Sequence, residues 1–579
     1  MKAMKKLVKY IKPYLLFAIL APLFMCIEVV MDLLQPTIMQ KMIDTGIANQ
    51  DNEYVIKFGL VMLLCAIIGL IGGIGCIVFS AKAAVNFATD IRHDVFKKTG
   101  RFSNQNIDSF GTGKLITITT NDITTVQQAV IMILRIFVRG PLLFIGSVVI
   151  VWFTARELFP ILLVAIPVLI AFIYFFSVKS GKLFSQVQKA MDKVNTKLQE
   201  TLAGIRVIKA FDRQNYEKAH FKKVNNLLTN RLMTAEQFVL TLMPIMMFVV
   251  NLGIIAGLWL GVIKVNEGTL QVGVILAFLN YLNIMMNGLI SSSHVLMQIA
   301  RSFPSAERIV HTLETKIDIT EPVQPRTIYD LKGEVEFRKV NFSYSKNGNN
   351  VLQDISFKAK AGQTIGIIGS TGSGKSTLVK LIPRLYNPDS GEILIDGVNV
   401  KDIPLENLRN SIGFVPQKAT LFSGTIEENL RFGKELASER ELDQATESAA
   451  ASEFIMRLED KFSHSLLQGA TNLSGGQKQR LSMARAFIRK PSILVLDDST
   501  SAIDALSEGL VQQALREDYA DSTVFIISSK ISSIIDADQI LVMNDGEIEA
   551  SGRHDELLRK SEVYRKIVAT QTGREVEFG

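Results

Sequence analysis

The first half of the chain alternates long apolar stretches with polar loops, and near residue 333 this gives way to short apolar runs separated by turns. Stretches of about 20 apolar residues, the length needed to cross a bilayer, lie near 14–36, 55–81, 129–153, 157–178, 238–263 and 271–299. They predict six membrane-spanning helices, the third and fourth separated only by a tight polar turn at Arg156 and Glu157. Loops 37–54, 154–156 and 264–270 are short and carry few basic residues. Segments 82–128, with Arg92, Lys97, Lys98, Arg101 and Lys114, and 179–237 are long and basic, as is the N-terminus with Lys2, Lys5, Lys6, Lys9 and Lys12. Basic loops stay in the cytoplasm, which places both chain ends there. The first apolar run is too long for a signal peptide and no small-residue cleavage site follows, so an uncleaved first span is expected.

The two long loops keep a helical mix of apolar and charged residues over Val194–Ile208 and Tyr216–Thr229. They predict spans that continue well beyond the bilayer. Breakers at Asp108–Gly113 and the basic, aromatic stretch Arg206–Tyr216 mark where these extensions turn back. Such projections are suited to touch a cytoplasmic domain.

Composition fits this division. At 579 residues the chain exceeds one compact core, and 48% hydrophobic residues with a mean hydropathy of +0.25 are high for a soluble protein. The net charge of +7 is concentrated in loops facing anionic lipid and requires no nucleic-acid partner. Cys26, Cys65 and Cys76 all lie in apolar stretches with neither metal-binding spacing nor a disulfide framework. Within the first span Glu28 and Asp32 stand out, because carboxylates in a bilayer are costly. Four residues apart, they share a helix face. They are expected either to line a cavity suited to cationic substrates or an outer gate, or to pair with a basic group, or simply to lie close to the outer surface.

From Gly333 onward, strands, turns and helices alternate as in a soluble α/β domain. Ile365–Thr377 reads IGIIGSTGSGKST, a buried strand, a glycine-rich loop and a helix start. This is the P-loop pattern in its required context. Backbone N–H groups of Gly369, Ser370, Thr371, Gly372, Ser373, Gly374 and the helix start through Thr377 would cradle phosphates. Lys375 would reach the β- and γ-phosphates of ATP and the Ser376 hydroxyl would ligate Mg²⁺. Further on, an apolar strand ends in Asp497 and Asp498. Asp497 is placed to hold Mg²⁺, and Asp498 sits where a general base for the attacking water belongs. Between the two motifs, Leu473-Ser474-Gly475-Gly476-Gln477 opens a helix.

The order of P-loop, Gln417, LSGGQ and paired acids resembles the ATP-binding-cassette domain, and the six preceding spans resemble the half-transporters of the exporter class. The resemblance covers nearly the whole chain. It implies an all-α six-helix transmembrane domain over 1–320, a linker at 321–332 and an α/β P-loop nucleotide-binding domain over 333–579. It further implies a dimer with two ATPs sandwiched between the P-loop of one domain and the LSGGQ of the other. Tyr344 would stack on adenine, and Gln417 would ligand Mg²⁺ and sense the γ-phosphate. Ser474, Gly475, Gly476, Gln477 and Asp504 would serve the opposite site.

The sequence departs from the family pattern where hydrolysis is decided. The base position normally holds Glu and here holds Asp498; the switch-histidine position holds Ser529; and Gln468 replaces a Glu expected to contact the membrane domain. Aspartate is shorter by one methylene, so its carboxylate stands on the order of 1–1.5 Å farther from the water, and a misplacement of that size can cost roughly 100-fold in rate. MgATP binding should survive while hydrolysis here is weak. This pattern is similar to the degenerate half of a bacterial heterodimeric multidrug exporter, whose partner chain would carry Glu and His; a homodimer would leave both sites impaired. The expected activity is ATP-driven export of amphipathic or drug-like compounds across a bacterial plasma membrane. A lipid flippase would share the machinery, and a nucleotide-gated channel or regulatory subunit is the alternative of another class.

Overall fold

The computed structural model describes residues 2–322, 324–326, 331–345 and 348–572, and the side chains of all these except 293, 294, 296–298, 300, 301 and 572. Residues 323 and 327–330 of the expected linker lie outside that set. The chain packs as two compact units: Met1–Gly100 with Gly113–Thr315, and Arg101–Thr112 with Lys316–Gly579.

The first unit is all α. Its main helices are α1 (Leu15–Lys41) and α2 (Asn52–Thr99), then α4 (Ile123–Leu134) and α5 (Ile136–Thr154), with α3 belonging to the other unit. They are followed by α6 (Phe159–Ala203), α7 (Gln214–Leu240), α8 (Leu242–Asn266) and α9 (Val272–Glu314). Among the described residues, six helical segments are long and apolar enough to cross a membrane. The 48 residues of α2 extend roughly 70 Å at 1.5 Å per residue. The hydrocarbon core is only about 30 Å thick, so α2 must project far beyond it, as the mixed polarity of 82–128 predicts.

The outside of this unit is apolar where lipid is the solvent, with Phe153 79% and Trp259 71% exposed. Water gives no hydrophobic drive between helices there, so close backbone approach has to supply packing. A Cβ on Gly72 of α2 would stand 2.9 Å from Glu28 N and Phe24 O of α1. One on Gly288 of α9 would stand 2.7 Å from Gly140 O of α5. The buried Tyr281 is partnered: it is 1% exposed and its hydroxyl donates to Leu33 O at 2.7 Å. Toward the C-terminal end of α9, Arg308 clamps buried Asp122, with Nε 2.7 Å from Oδ2. Gly204 and the Phe211–Arg213 bend turn α6 back into α7, and Lys197 pairs across that hairpin with Glu217 at 2.8 Å.

The second unit is α/β and includes the short helix α3 (Asn104–Phe110). Ser103 and Asn106 cap α3 reciprocally. Asn106 Nδ2 also donates to Asp318 Oδ2 at 3.0 Å, and Tyr386 donates to Asp108 Oδ2 at 2.6 Å. Burial and that carboxylate push the Tyr386 phenol well above its usual range. The helix thus packs as part of the unit that follows residue 315, although it lies between two membrane helices in sequence.

An antiparallel sheet of order β2-β1-β4-β5 combines β1 (Val335–Phe342), β2 (Leu352–Ala359), β4 (Ser390–Ile395) and β5 (Val398–Asn399). The second sheet contains β3 (Thr364–Gly369), β6 (Ile412–Val415), β7 (Ile493–Asp497), β8 (Thr523–Ile527), β9 (Gln539–Asn544) and β10 (Glu547–Gly552). Its order is β10-β9-β3-β8-β7-β6, parallel except for β10. Strands β7 and β8 are buried at every position, which is why both read as unbroken apolar runs. Strand order brings the C-terminal ends of β3, β7 and β8 side by side.

Candidate nucleotide site

Those three strand ends carry the chemistry. The loop after β3 leads into α10 (Lys375–Leu381), and Gly374 has φ +94° where a Cβ would stand 2.9 Å from Val351 O. Only glycine satisfies both conditions. Lys375 Nζ lies 2.9 Å from Gly369 O and 2.6 Å from Ser370 O, capping the loop with its ammonium. Burial pulls that ammonium down from its usual range, and Asp498 and Asp497 partly offset the effect.

At the end of β7, Asp497 is 2% exposed and accepts from the Ser376 hydroxyl at 2.7 Å. Burial pushes its carboxyl up, while Ser376, Lys380 and Lys375 pull it back. Two oxygens this close, one anionic, beside a phosphate-cradling loop are the donor set a Mg²⁺ ion takes. Asp498 has φ +46°, a left-handed conformation uncommon for a side-chain-bearing residue. Its Oδ2 lies 3.3 Å from Gln417 Nε2, while Oδ1 is buried without a partner. P-loop, Ser376, Asp497, Asp498 and Gln417 therefore converge, as their sequence order predicts.

Ser529 follows β8 and is exposed. The segment around it is held from behind by α13 (Glu562–Thr572): Gln571 Nε2 donates to Ser529 O at 2.6 Å, and its Oε1 accepts from Ile531 N at 2.9 Å. Sequence reasoning missed Gln571, since a lone glutamine near a C-terminus carries no motif. Tyr344 is 40% exposed, with its hydroxyl 3.0 Å from Thr377 Oγ1 and its ring edge-on to Phe342 and Tyr386.

Ser474 caps α11 (Gly475–Phe487) and forms a reciprocal box with Gln477. A Cβ on Gly476 would stand 2.9 Å from Ala502 O, so glycine there lets the LSGGQ turn approach the loop before α12 (Ala505–Glu517). Asp504 caps α12, and the backbone N–H of Ser507 holds its carboxyl below the usual range.

In the membrane unit, Glu28 and Asp32 both reach Arg139 of α5: Nη2 is 3.2 Å from Glu28 Oε1 and 3.1 Å from Asp32 Oδ2. This is the pairing with a basic group that was one of the expectations for them. Arg139 and Arg135, four residues apart in the third span, are a signal that sequence reading passed over.

The family description "ABC transporter transmembrane region" matches residues 18–289, and "ABC transporter" matches residues 352–501. An uncharacterized ABC transporter ATP-binding protein of Bacillus subtilis strain 168, YfiB, is 42% identical over 573 residues, covering 99% of both chains. One from Mycobacterium tuberculosis strain H37Rv is 33% identical over 568 residues, covering 97% of both. A solved structure of a bacterial Atm1-family ABC exporter with ATP bound superposes with a TM-score of 0.78 at 23% identity, covering 98% of this chain and 99% of that one. The likeness to that structure extends through both the six-helix unit and the cassette, and the chain belongs to the ABC transporter family, a multi-pass, ATP-driven transporter built on an exporter fold.

Proposed function

We propose that this chain is one half of a heterodimeric exporter of amphipathic or drug-like compounds in a bacterial plasma membrane, with both termini cytoplasmic. Its own P-loop site binds MgATP and turns it over slowly. The observation that carries this reading is the pair Asp498 and Ser529. Asp498 occupies the base position, is one methylene short of Glu, and has one oxygen tied to Gln417. Ser529 offers a hydroxyl where an imidazole would support base and γ-phosphate.

ATP supplies the phosphoanhydride whose binding closes two cassettes and whose hydrolysis reopens them. The chain's own groups do the holding: the P-loop amides and Lys375 fix the phosphates, and Ser376, Asp497 and Gln417 hold Mg²⁺. The LSGGQ turn at Ser474–Gln477 and the loop ending at Asp504 complete the site whose P-loop and base come from the partner chain. Closure drives the spans from inward- to outward-facing, and hydrolysis at the partner's base resets them.

The test is ATPase activity in nanodiscs for this chain alone and with the half-transporter encoded beside it. Activity only with the neighbour, surviving Asp498→Asn, is expected. Robust turnover by this chain alone, abolished by Asp498→Asn, would make Asp498 a working base and the assembly a homodimer.

A further inference from the structure

The third membrane segment carries two guanidiniums on one face. Arg135 stands at the junction of α4 and α5, with φ −109° and ψ −76°, and Arg139 N still donates to Arg135 O at 3.0 Å. The four-residue spacing therefore keeps both side chains on the same side of the helix despite the break. Buried Cys76 of α2 interacts electrostatically with Arg135, Arg139 and Glu28, which places all of them in one neighbourhood.

The two arginines are matched very differently. Arg139 holds both carboxylates of α1. Glu28 is seated over Gly73, where a Cβ would stand 3.1 Å from its Oε2. The Arg135 side chain makes no hydrogen bond or ion pair among the described residues, and its Nε is buried without a partner. A guanidinium with no ion-pair partner in a membrane domain is costly, and so is a buried donor left unused. A cationic ligand would have to compete with Arg139 for Glu28 and Asp32. An anionic group needs no displacement. The planar fork of an arginine also fits carboxylate, phosphate or sulfonate oxygens two at a time.

We infer that Arg135, beside the Arg139–Glu28–Asp32 triad, is a head-group site that takes the anionic end of a transported amphiphile. The inference rests on the export reading above and reverses the cation preference that Glu28 and Asp32 suggest in sequence. Arg139 is engaged by its two carboxylates, and Arg135 supplies the donors that no side chain takes.

Two xanthene dyes of opposite charge, fluorescein and rhodamine 6G, test it by fluorescence anisotropy on the full-length chain in phosphatidylcholine nanodiscs. Fluorescein should bind, and Arg135→Gln should weaken it by about 10-fold or more, the loss expected for a charge-assisted hydrogen bond. Arg135→Lys should recover part of that loss, and rhodamine 6G affinity should not fall. Arg135→Gln should fold like the parent, because the Arg135 side chain has no hydrogen bond or ion pair to lose, and a thermal melt of the nanodisc sample checks this. Equal fluorescein affinity in Arg135→Gln and parent would overturn the inference, as would tighter binding of rhodamine 6G that is lost in Glu28→Gln. Displacement of fluorescein by 20% phosphatidylglycerol in the nanodisc would assign the site to lipid phosphate and overturn the substrate assignment. ATP-driven dye accumulation in inverted vesicles, with the neighbouring half present, separates the two readings. Its absence for both dyes counts against drug-like export, whereas fluorescein transport that ignores Arg135→Gln counts against this site alone.

Discussion

At the scale of single residues, the nucleotide site depends on a few groups with separable roles. Lys375→Ala removes the ammonium that caps the P-loop and should abolish detectable MgATP binding, measured with a fluorescent ATP analogue, while the melting profile stays unchanged. Asp498→Glu with Ser529→His restores the longer carboxylate and the imidazole, and should raise turnover at this site by roughly 10- to 100-fold, since a single misplaced group costs about that much. Single-turnover hydrolysis by the assembled pair measures it. Asp497 gives a pH signature. Because burial raises its pKa, protons compete with Mg²⁺ at a higher pH than for an exposed aspartate. Mg²⁺-dependent nucleotide affinity should therefore fall on acidification before Mg²⁺-independent affinity does, as calorimetry at stepped pH would show. The same shift acts oppositely on stability. Ionised Asp497 costs the folded domain most above its folded pKa, and that cost is gone below the unfolded value.

At the scale of elements, backbone approach decides which helices can pair. Gly72 and Gly288 sit where any side chain would meet a neighbouring backbone at 2.9 Å or 2.7 Å, and backbone cannot move aside as a flexible side chain can. Gly72→Leu or Gly288→Leu should destabilise the membrane unit by about 1–3 kcal/mol, read as a lower melting temperature in detergent with nucleotide binding intact. The six spans were legible in sequence because lipid demands about 20 apolar residues from any crossing helix. The long extensions were legible from their mixed polarity. That α3 belongs to the second unit was not legible, because its anchors, Asp318 and Tyr386, lie more than 200 residues away in sequence and are ordinary polar residues.

At the scale of the whole molecule, the fold is an exporter-type transmembrane unit joined to a cassette whose catalytic strands end together. The proposed asymmetry, a weak P-loop site beside an intact LSGGQ motif, leads to an assembly prediction. Co-expression with the neighbouring half should give a one-to-one complex by native mass spectrometry, and a glutamate-to-glutamine change at the partner's base should stop its ATPase.

Sequence alone determined the spans, the P-loop, the paired acids and the departures at Asp498 and Ser529. Each of these is set locally, by bilayer thickness, by the turn geometry of glycine, or by residue type at a fixed spacing. Only the tertiary structure decided that Glu28 and Asp32 both pair with Arg139 while the Arg135 side chain pairs with no carboxylate, and that Gln571 holds the segment around Ser529. Charge matching and hydrogen bonding act through space, so groups distant along the chain become partners only once the helices and strands have packed.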